Sequence, residues 1–132
     1  MMGAMNTNDE QQQDNAVYRQ LQIQMDQYPI GYPATSSGVE IDILKYFFTP
    51  LQAKLALCLT LRSVSLSKIG KNYKAKFHNV FQPDDLAAIL EKMFQKGVIR
   101  RSISKDGRPR YGIAMLAIGM FEYQVDQLTR EL

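Results

Sequence analysis

Apolar side chains recur every three or four residues through most of this chain, which is the spacing of helices that bury one face. On this basis we predict helices over residues 14–28, 39–48, 50–59, 82–96 and 114–128. Between residues 65 and 77 the spacing is less regular, and Ser65 is expected to cap a shorter helix there. The pattern therefore indicates a chain that is mainly helical.

Residues at the ends of two of these helices favour the same boundaries. Thr49 suits a cap, Pro50 suits the first helical position, and Gln52 stands where the partner in a capping box belongs. Gly97 follows the helix over 82–96, and glycine tolerates the left-handed conformation that commonly ends a helix. We therefore expect one helix to begin near Pro50 and another to end just before Gly97.

After Gly97 the pattern changes to that of strands. Residues 98–104 and 109–113 flank the segment 105–108, whose Asp-Gly pair favours a tight hairpin turn because glycine accepts a positive φ. Pro109 has no amide hydrogen, so its strand is expected to lie at an edge of the sheet. The sequence thus predicts one two-stranded hairpin.

The order of these elements is that of a winged helix-turn-helix domain. The predicted fold class is α+β, mainly α with a small β-hairpin, in which 65–77 and 82–96 form the helix-turn-helix pair and 98–113 the wing. A length of 132 residues suits one domain. We therefore predict a disordered, polar lead-in over residues 1–14 and a single winged-helix domain over 15–132, with flanking N- and C-terminal helices.

Composition gives no sign of a membrane span or of catalysis. No apolar run reaches the roughly 18 to 20 residues that cross a bilayer. Cys58 is the single cysteine and is expected to be a small buried hydrophobe, which suits a reducing, cytoplasmic compartment. His78 is the single histidine, so one chain supplies neither a zinc cluster nor a histidine-based triad. We predict a protein that is not an enzyme, with no cofactor in this chain and no membrane partner.

The net charge of +3 conceals two basic blocks. Residues 62–81 carry five basic side chains and no acidic one, and residues 98–113 carry a net charge of +4. Such blocks are typical of nucleic-acid contacts, although solvated loops also contain them. The candidate nucleic-acid-binding residues are Arg100, Arg101, Lys105, Arg108 and Arg110 in the wing and Lys71, Lys74 and Lys76 before it.

The helix that would enter the major groove argues against DNA readout. It begins with Asp84 and Asp85, whose carboxylates oppose phosphate, and it contains no arginine, the usual reader of guanine. Any DNA contact would therefore come from the wing and from the lysines of 62–81. We expect such binding to have weak sequence specificity.

The closing helix predicts a partner surface. Its first half is apolar on nearly every side, and such a helix normally has its whole circumference covered. A dimer mate or a following domain is the favoured cover, and the N-terminal helix is the alternative. We expect Tyr28 and Tyr32, in a loop rich in proline and glycine, to adjoin this surface. The candidate interface residues are Met115, Ile118, Phe121, Val125 and Leu128.

Two stretches resemble a known family. They are YPATSSGVEIDILKYFFTPLQAKLALCL (residues 32–59), with its Pro-x-Thr-x-Ser-Gly-Val-Glu run at 33–40, and GRPRYGIAMLAIGMFEYQVDQL (residues 107–128). Both are similar to the amino-terminal winged-helix domain of bacterial and archaeal ferredoxin-type proteins that carry two 4Fe-4S clusters downstream. The resemblance covers about two thirds of the chain, and residues 62–81 match poorly. It implies a winged-helix fold and a protein partner or downstream iron–sulfur domain.

The cluster-binding part of that family has no counterpart here. Each 4Fe-4S cluster typically takes about four cysteine thiolates, and this chain has only Cys58. Two functions stay open. The preferred one is a non-catalytic interaction module that docks a partner protein or a following domain. The alternative is a small, dimeric transcriptional regulator that binds DNA through its basic wing.

Overall fold

Helices and a small sheet share the described part of the chain, which in this computed structural model comprises residues 7–29 and 31–114. These residues form five helices: α1 Thr7–Asp26, α2 Val39–Phe47, α3 Pro50–Leu57, α4 Leu66–Phe77 and α5 Pro83–Gln95. Three strands complete them: β1 Val64–Ser65, β2 Ile99–Ile103 and β3 Pro109–Ile113. The strands form one antiparallel sheet in the order β1-β3-β2. The mainly helical α+β class predicted from the sequence is confirmed.

Side-chain caps set the ends of the helices as the sequence predicts. At α3, the Thr49 hydroxyl accepts a hydrogen bond from the Gln52 amide at 3.2 Å, and the Gln52 side chain accepts one from the Thr49 amide at 3.1 Å. At α4, the Ser65 hydroxyl accepts from the Lys68 amide at 3.2 Å. Gly97 follows α5 with φ of +83°. These contacts satisfy amides that a helix leaves unpaired at its first turn.

The first helix begins earlier than the sequence pattern indicates. Residues 7–14, predicted as part of a disordered lead-in, are helical, and residues 1–6 lie outside the described part of the chain. The polar character of residues 1–14 is what predicts a disordered lead-in there. Glutamine and glutamate are good helix formers, however, and a helix propagates readily from a turn that is already packed. The buried half of α1, which contains Val17 and Leu21, supplies that packed turn.

The sheet corrects the expectation that the strand of Pro109 lies at an edge. β3 is the central strand, paired with β1 on one side and β2 on the other. β1 has only two residues, and its Ser65 stands opposite Arg110, so Pro109 lies beyond its end and pairs only with Ile103 of β2. The missing amide hydrogen of Pro109 therefore interrupts no bond to β1. A two-residue strand is too short to show an alternating pattern, which is why β1 was not predicted.

The core joins the helices to the base of the sheet. α1 packs on α2 and α3, where Leu21, Leu44 and Leu55 are fully buried. α4 and α5 pack on each other and on the sheet, and they bury Ile69 and Leu90. In β2 only Ile99 is buried, so the hairpin projects from the body of the domain toward its turn. This projection brings the turn beside α4.

Among the described residues, no helix is both long enough and apolar enough to cross a membrane.

The predicted closing helix lies outside the described residues, and so do its candidate interface residues, Met115, Ile118, Phe121, Val125 and Leu128.

Candidate functional site

The hairpin turn, α4 and the loop before α5 enclose a concave groove of about 850 Å³, which we call the basic groove. Five cationic side chains line it: Lys71, Lys74, Lys105, Arg108 and Arg110. Its apolar lining consists of Leu66, Val80, Phe81, Pro83, Leu86 and Pro109. Residues from both basic blocks of the sequence therefore meet at one place, although more than thirty positions separate Lys71 from Lys105.

The orientation of α4 places its lysines in the groove. Ile69 and Tyr73 are buried on one side of this helix, while Lys71 and Lys74 are exposed and, three positions apart, lie on the same face. Lys76 is exposed but does not line the groove. Of the three candidate lysines in residues 62–81, Lys71 and Lys74 therefore lie together in the groove and Lys76 does not.

The hairpin turn is held by its own hydrogen bonds. Asp106 accepts bonds from the Ser104 hydroxyl and, at 3.2 Å, from the Arg108 amide, and Gly107 has φ of +82°. The Ser104 hydrogen bond, followed by that of the Arg108 amide, lowers the pKa of Asp106. The side chains of Asp106 and Arg108 are 3.7 Å apart and mostly exposed, so their ion pair contributes little stability. The turn therefore presents Lys105 and Arg108 on an ordered backbone.

Two of the five candidate arginines and lysines of the hairpin lie outside the groove and form contacts within the fold. Arg101 contacts Glu91 of α5 at 2.5 Å, and its guanidinium lies 4.3 Å from the centroid of the Phe94 ring. Arg100 donates from Nε to the Ile113 carbonyl at 3.1 Å. Arg110 lines the groove but also donates to the Ser63 carbonyl at 3.2 Å. No periodicity links Glu91 to Arg101, so this contact could not be predicted from the spacing of residues.

Acidic side chains stand at the start of α5, beside the groove. Asp84 and Asp85 are exposed, and they follow Pro83, which lines the groove. They stabilise α5 because carboxylates interact favourably with the positive end of a helix dipole. Their exposed negative charge would also oppose a phosphate group at this end of α5.

The Pro-x-Thr-x-Ser-Gly-Val-Glu run forms a second polar cluster, between α1 and α2. Glu40, only 3% exposed, is 3.1 Å from Arg19 Nη1 and accepts a hydrogen bond from the Thr35 hydroxyl at 2.6 Å. Burial raises the pKa of Glu40, but hydrogen bonds from Thr35, the backbone and Arg19 outweigh it and lower that pKa to about 2. Gly38, with φ of +76°, precedes α2 and donates to Thr35 at 3.1 Å. These residues fasten a loop to α1.

Tyr32 belongs to this cluster and not to an exposed docking surface. Its side chain is 5% exposed, and its hydroxyl donates to the Glu40 carbonyl at 2.7 Å. Burial raises the pKa of Tyr32, and the charge of Glu40 adds to that effect. Tyr28 is half-buried, and its hydroxyl accepts from Gln24 at 3.1 Å. The expectation that Tyr32 offers a contact surface is therefore wrong, because this residue is buried and bonded to Gln22 of α1 and Glu40 of α2.

Cys58 and His78 are side chains that could carry chemistry, but both have structural roles in the fold. Cys58 is buried, its thiol donates to the Lys54 carbonyl at 3.5 Å, and burial raises its pKa to about 11. A thiol with such a pKa is a poor nucleophile at neutral pH. His78 is exposed and ends α4 in a left-handed conformation, with φ of +59°. Within the described ranges, no three His, Cys, Asp or Glu side chains are grouped so that they could hold a metal ion.

No family model matches the chain, and neither the curated proteins nor the solved structures contain a significant match to it. The function is therefore argued from the geometry of the described residues. In that part of the chain, every buried side-chain nitrogen and oxygen has a hydrogen-bond partner. The polar cluster around Glu40 is satisfied internally, whereas the basic groove is open. The groove is the candidate functional site.

Proposed function

We propose that this protein is a non-catalytic winged-helix interaction module that docks a partner protein or a following domain. The element order α3-β1-α4-α5-β2-β3 and the sheet order β1-β3-β2 support a winged helix, with α4 and α5 as the helix-turn-helix pair and the hairpin as the wing. The resemblance to the amino-terminal domain of 4Fe-4S redox proteins supports the same assignment. A downstream iron–sulfur domain is a partner that this resemblance suggests.

The observation that carries the proposal is the combination of charge and apolar surface in the basic groove. Its cations surround Leu66, Val80 and Phe81, and Val80 is 72% exposed. Exposed apolar side chains inside a concave site are typical of surfaces that bind proteins or small ligands. Contacts with DNA phosphates come from basic and polar groups, so they would leave these apolar side chains uncovered.

The structural role of the polar run at 33–40 also supports an interaction module. Glu40 and Thr35 hold the loop to α1 through internal hydrogen bonds, which gives both residues a structural role. Cys58, buried and alone, offers no set of thiolates for a cluster. This chain would therefore take part in redox chemistry only through what it docks.

One observation favours the second candidate, a dimeric transcriptional regulator that binds DNA through its wing. Lys71 and Lys74 of α4 meet Lys105 and Arg108 of the hairpin turn, and converging cations from separate elements suit a phosphate backbone. Against it, Asp84 and Asp85 begin α5, and Arg101 is already paired with Glu91. The acidic start of α5 is the reason that we rank DNA binding second.

A titration with a labelled duplex of random sequence distinguishes the two candidates. We expect weak binding at low salt that disappears at moderate salt, with no more loss in the double variant Arg108→Ala/Arg110→Ala than in Lys45→Ala/Lys92→Ala. Fluorescence anisotropy at both salt concentrations measures this. Sub-micromolar affinity that falls steeply with salt and is abolished by Arg108→Ala/Arg110→Ala alone would establish DNA binding in place of docking.

A further inference from the structure

We infer that the basic groove binds a short acidic peptide segment of a partner protein, one that carries apolar side chains between its carboxylates. This inference rests on the proposed function and names the chemistry of the partner. The charge of the groove, its apolar lining and its size each support this inference.

The charge of the groove is unbalanced. Five cations line it, and Asp106 is the one acid among the residues that do so. Within the described ranges, Lys71, Lys74 and Lys105 form no salt bridge, and the contact of Arg108 with Asp106, at 3.7 Å, is exposed and weak. These side chains are therefore available to carboxylates of a ligand.

Part of the groove is lined by apolar residues that pack in the core. Phe81 lies with its ring centroid 4.7 Å from that of buried Tyr73, and Leu86 is 3% exposed in the core. Val80, at 72% exposure, stands uncovered in the same groove. Apolar side chains of a ligand would bury Val80 beside Phe81 and Leu86, which already pack in the core, and this burial favours binding.

These features favour a peptide over a nucleic acid. A phosphodiester backbone offers nothing apolar to Val80 and Leu66, and the carboxylates of Asp84 and Asp85 beside the groove repel it. Phe81 is the one aromatic residue that lines the groove, and it already packs edge-on against Tyr73. One aromatic ring is a small platform for a single-stranded nucleic acid, which typically stacks successive bases on several aromatic side chains.

The size of the groove limits what fills it. At about 850 Å³ it falls within the range of pockets that hold small ligands, so it takes a few side chains at a time. A linear segment with alternating acidic and apolar residues meets that limit.

The test is a selection of random peptides displayed on phage, carried out on the full chain at moderate salt. Selected sequences are synthesised with a fluorophore, and their affinities are measured by anisotropy. We expect them to contain aspartate or glutamate together with leucine, isoleucine or phenylalanine. Enrichment of basic or uncharged peptides, or no enrichment at all, would overturn the inference.

Three variants locate the binding site. Val80→Ser and Lys74→Ala are each expected to weaken the selected peptides by about tenfold, the first by loss of apolar burial and the second by loss of charge. Lys45 is exposed on α2 and does not line the groove, so Lys45→Ala should leave the affinity of these peptides unchanged. Thermal unfolding of each variant verifies that it folds, and because Val80, Lys74 and Lys45 are exposed, all three should unfold at the wild-type temperature.

The outcomes separate the inference from the proposed function. If acidic peptides bind but Val80→Ser and Lys74→Ala leave the affinity unchanged, the groove is not their site, while the interaction module stands. If random duplex DNA binds more tightly than every selected peptide and displaces it, both the inference and the proposed function fall. If a peptide with the apolar residues replaced by serine binds equally well, the groove recognises charge alone and the inference is overturned.

Discussion

At the scale of a single side chain, Glu40 shows how one buried carboxylate organises a loop. Arg19 and Thr35 both bond to it, and the Tyr32 hydroxyl donates to its carbonyl. A buried charge is costly unless it is paired and hydrogen-bonded, and here both conditions are met. The pKa of about 2 reflects this, since ionisation is favoured despite burial.

We predict that Glu40 makes stability fall as the solution is acidified. Its pKa is lowered from 4.5 to about 2 by folding, so its contribution is fully present above pH 4.5 and is lost as the pH falls from there to about 2. Glu40→Gln should cost about 1–3 kcal/mol at pH 7 and flatten the dependence of the urea midpoint on pH over this window.

The control for Glu40 is Asp42→Asn. Asp42 is exposed on the same helix, so this variant should keep the wild-type slope of the urea midpoint between pH 5 and pH 2. An equal slope in Glu40→Gln and in the wild-type protein would show that the carboxylate of Glu40 is not the group that titrates.

At the scale of an element, the hairpin is fixed to α5 by one polar and aromatic contact. Glu91 of α5 accepts hydrogen bonds from Arg101 of β2 and from the Tyr111 hydroxyl of β3, the latter at 2.9 Å. The guanidinium of Arg101 also covers the Phe94 ring. The contact orients both strands relative to α5 and thereby sets the position of the hairpin turn in the groove.

We predict that cations of the hairpin divide into structural and binding residues. Arg101→Ala should lower the free energy of unfolding by about 1–2 kcal/mol, because it removes the ion pair and the cation–π contact together. Arg108→Ala should change it by less than about 0.5 kcal/mol, because Arg108 is exposed at the turn.

Chemical denaturation of both hairpin variants measures the difference. Because Tyr111 still bonds to Glu91 in Arg101→Ala, that variant remains folded and its transition stays cooperative. Equal stabilities of Arg101→Ala and Arg108→Ala would contradict the structural role of Arg101.

At the scale of the whole molecule, α1 acts as the cover of the helical half of the core. Val17, Tyr18, Leu21 and Met25 are buried, whereas the described side chains before residue 17 are exposed or half-buried. The Tyr18 hydroxyl donates to the Phe48 carbonyl at 2.6 Å, which ties α1 to the end of α2. The boundary between covering and protruding turns thus lies near residue 16.

We predict that the domain tolerates loss of the protruding turns but not of the covering ones. Removal of residues 1–14 should lower the melting temperature by only a few degrees, because the buried side chains of α1 remain. Removal of residues 1–26 should abolish the cooperative transition, because Leu44 and Leu55 would lose their cover. Calorimetry of both truncations measures this, and a cooperative transition in the longer truncation would show that α2 and α3 need no cover.

Sequence reasoning succeeded where the signal is local. The caps at Thr49 and Ser65 and the glycine after α5 depend on neighbours a few positions away, and all three are confirmed. The same reasoning identified the cations of the groove as candidates.

It failed where partners are distant along the chain. β1 depends on β3, Tyr32 is buried by α1 and α2, and Arg101 is paired across ten positions to Glu91. None of these contacts leaves a periodic trace. The groove itself belongs to this group, since only the fold shows that Lys71 and Lys105 line one cavity.

The central position of β3 has a consequence for the order in which the chain folds during synthesis. β1 and β2 leave the ribosome before the strand that pairs with both of them, so the sheet forms only after residues 109–113 have emerged. α1 packs on both α2 and α3, and these three helices can assemble earlier. The helical half is thus a nascent scaffold, and the half that contains the groove is completed only when its last strand arrives.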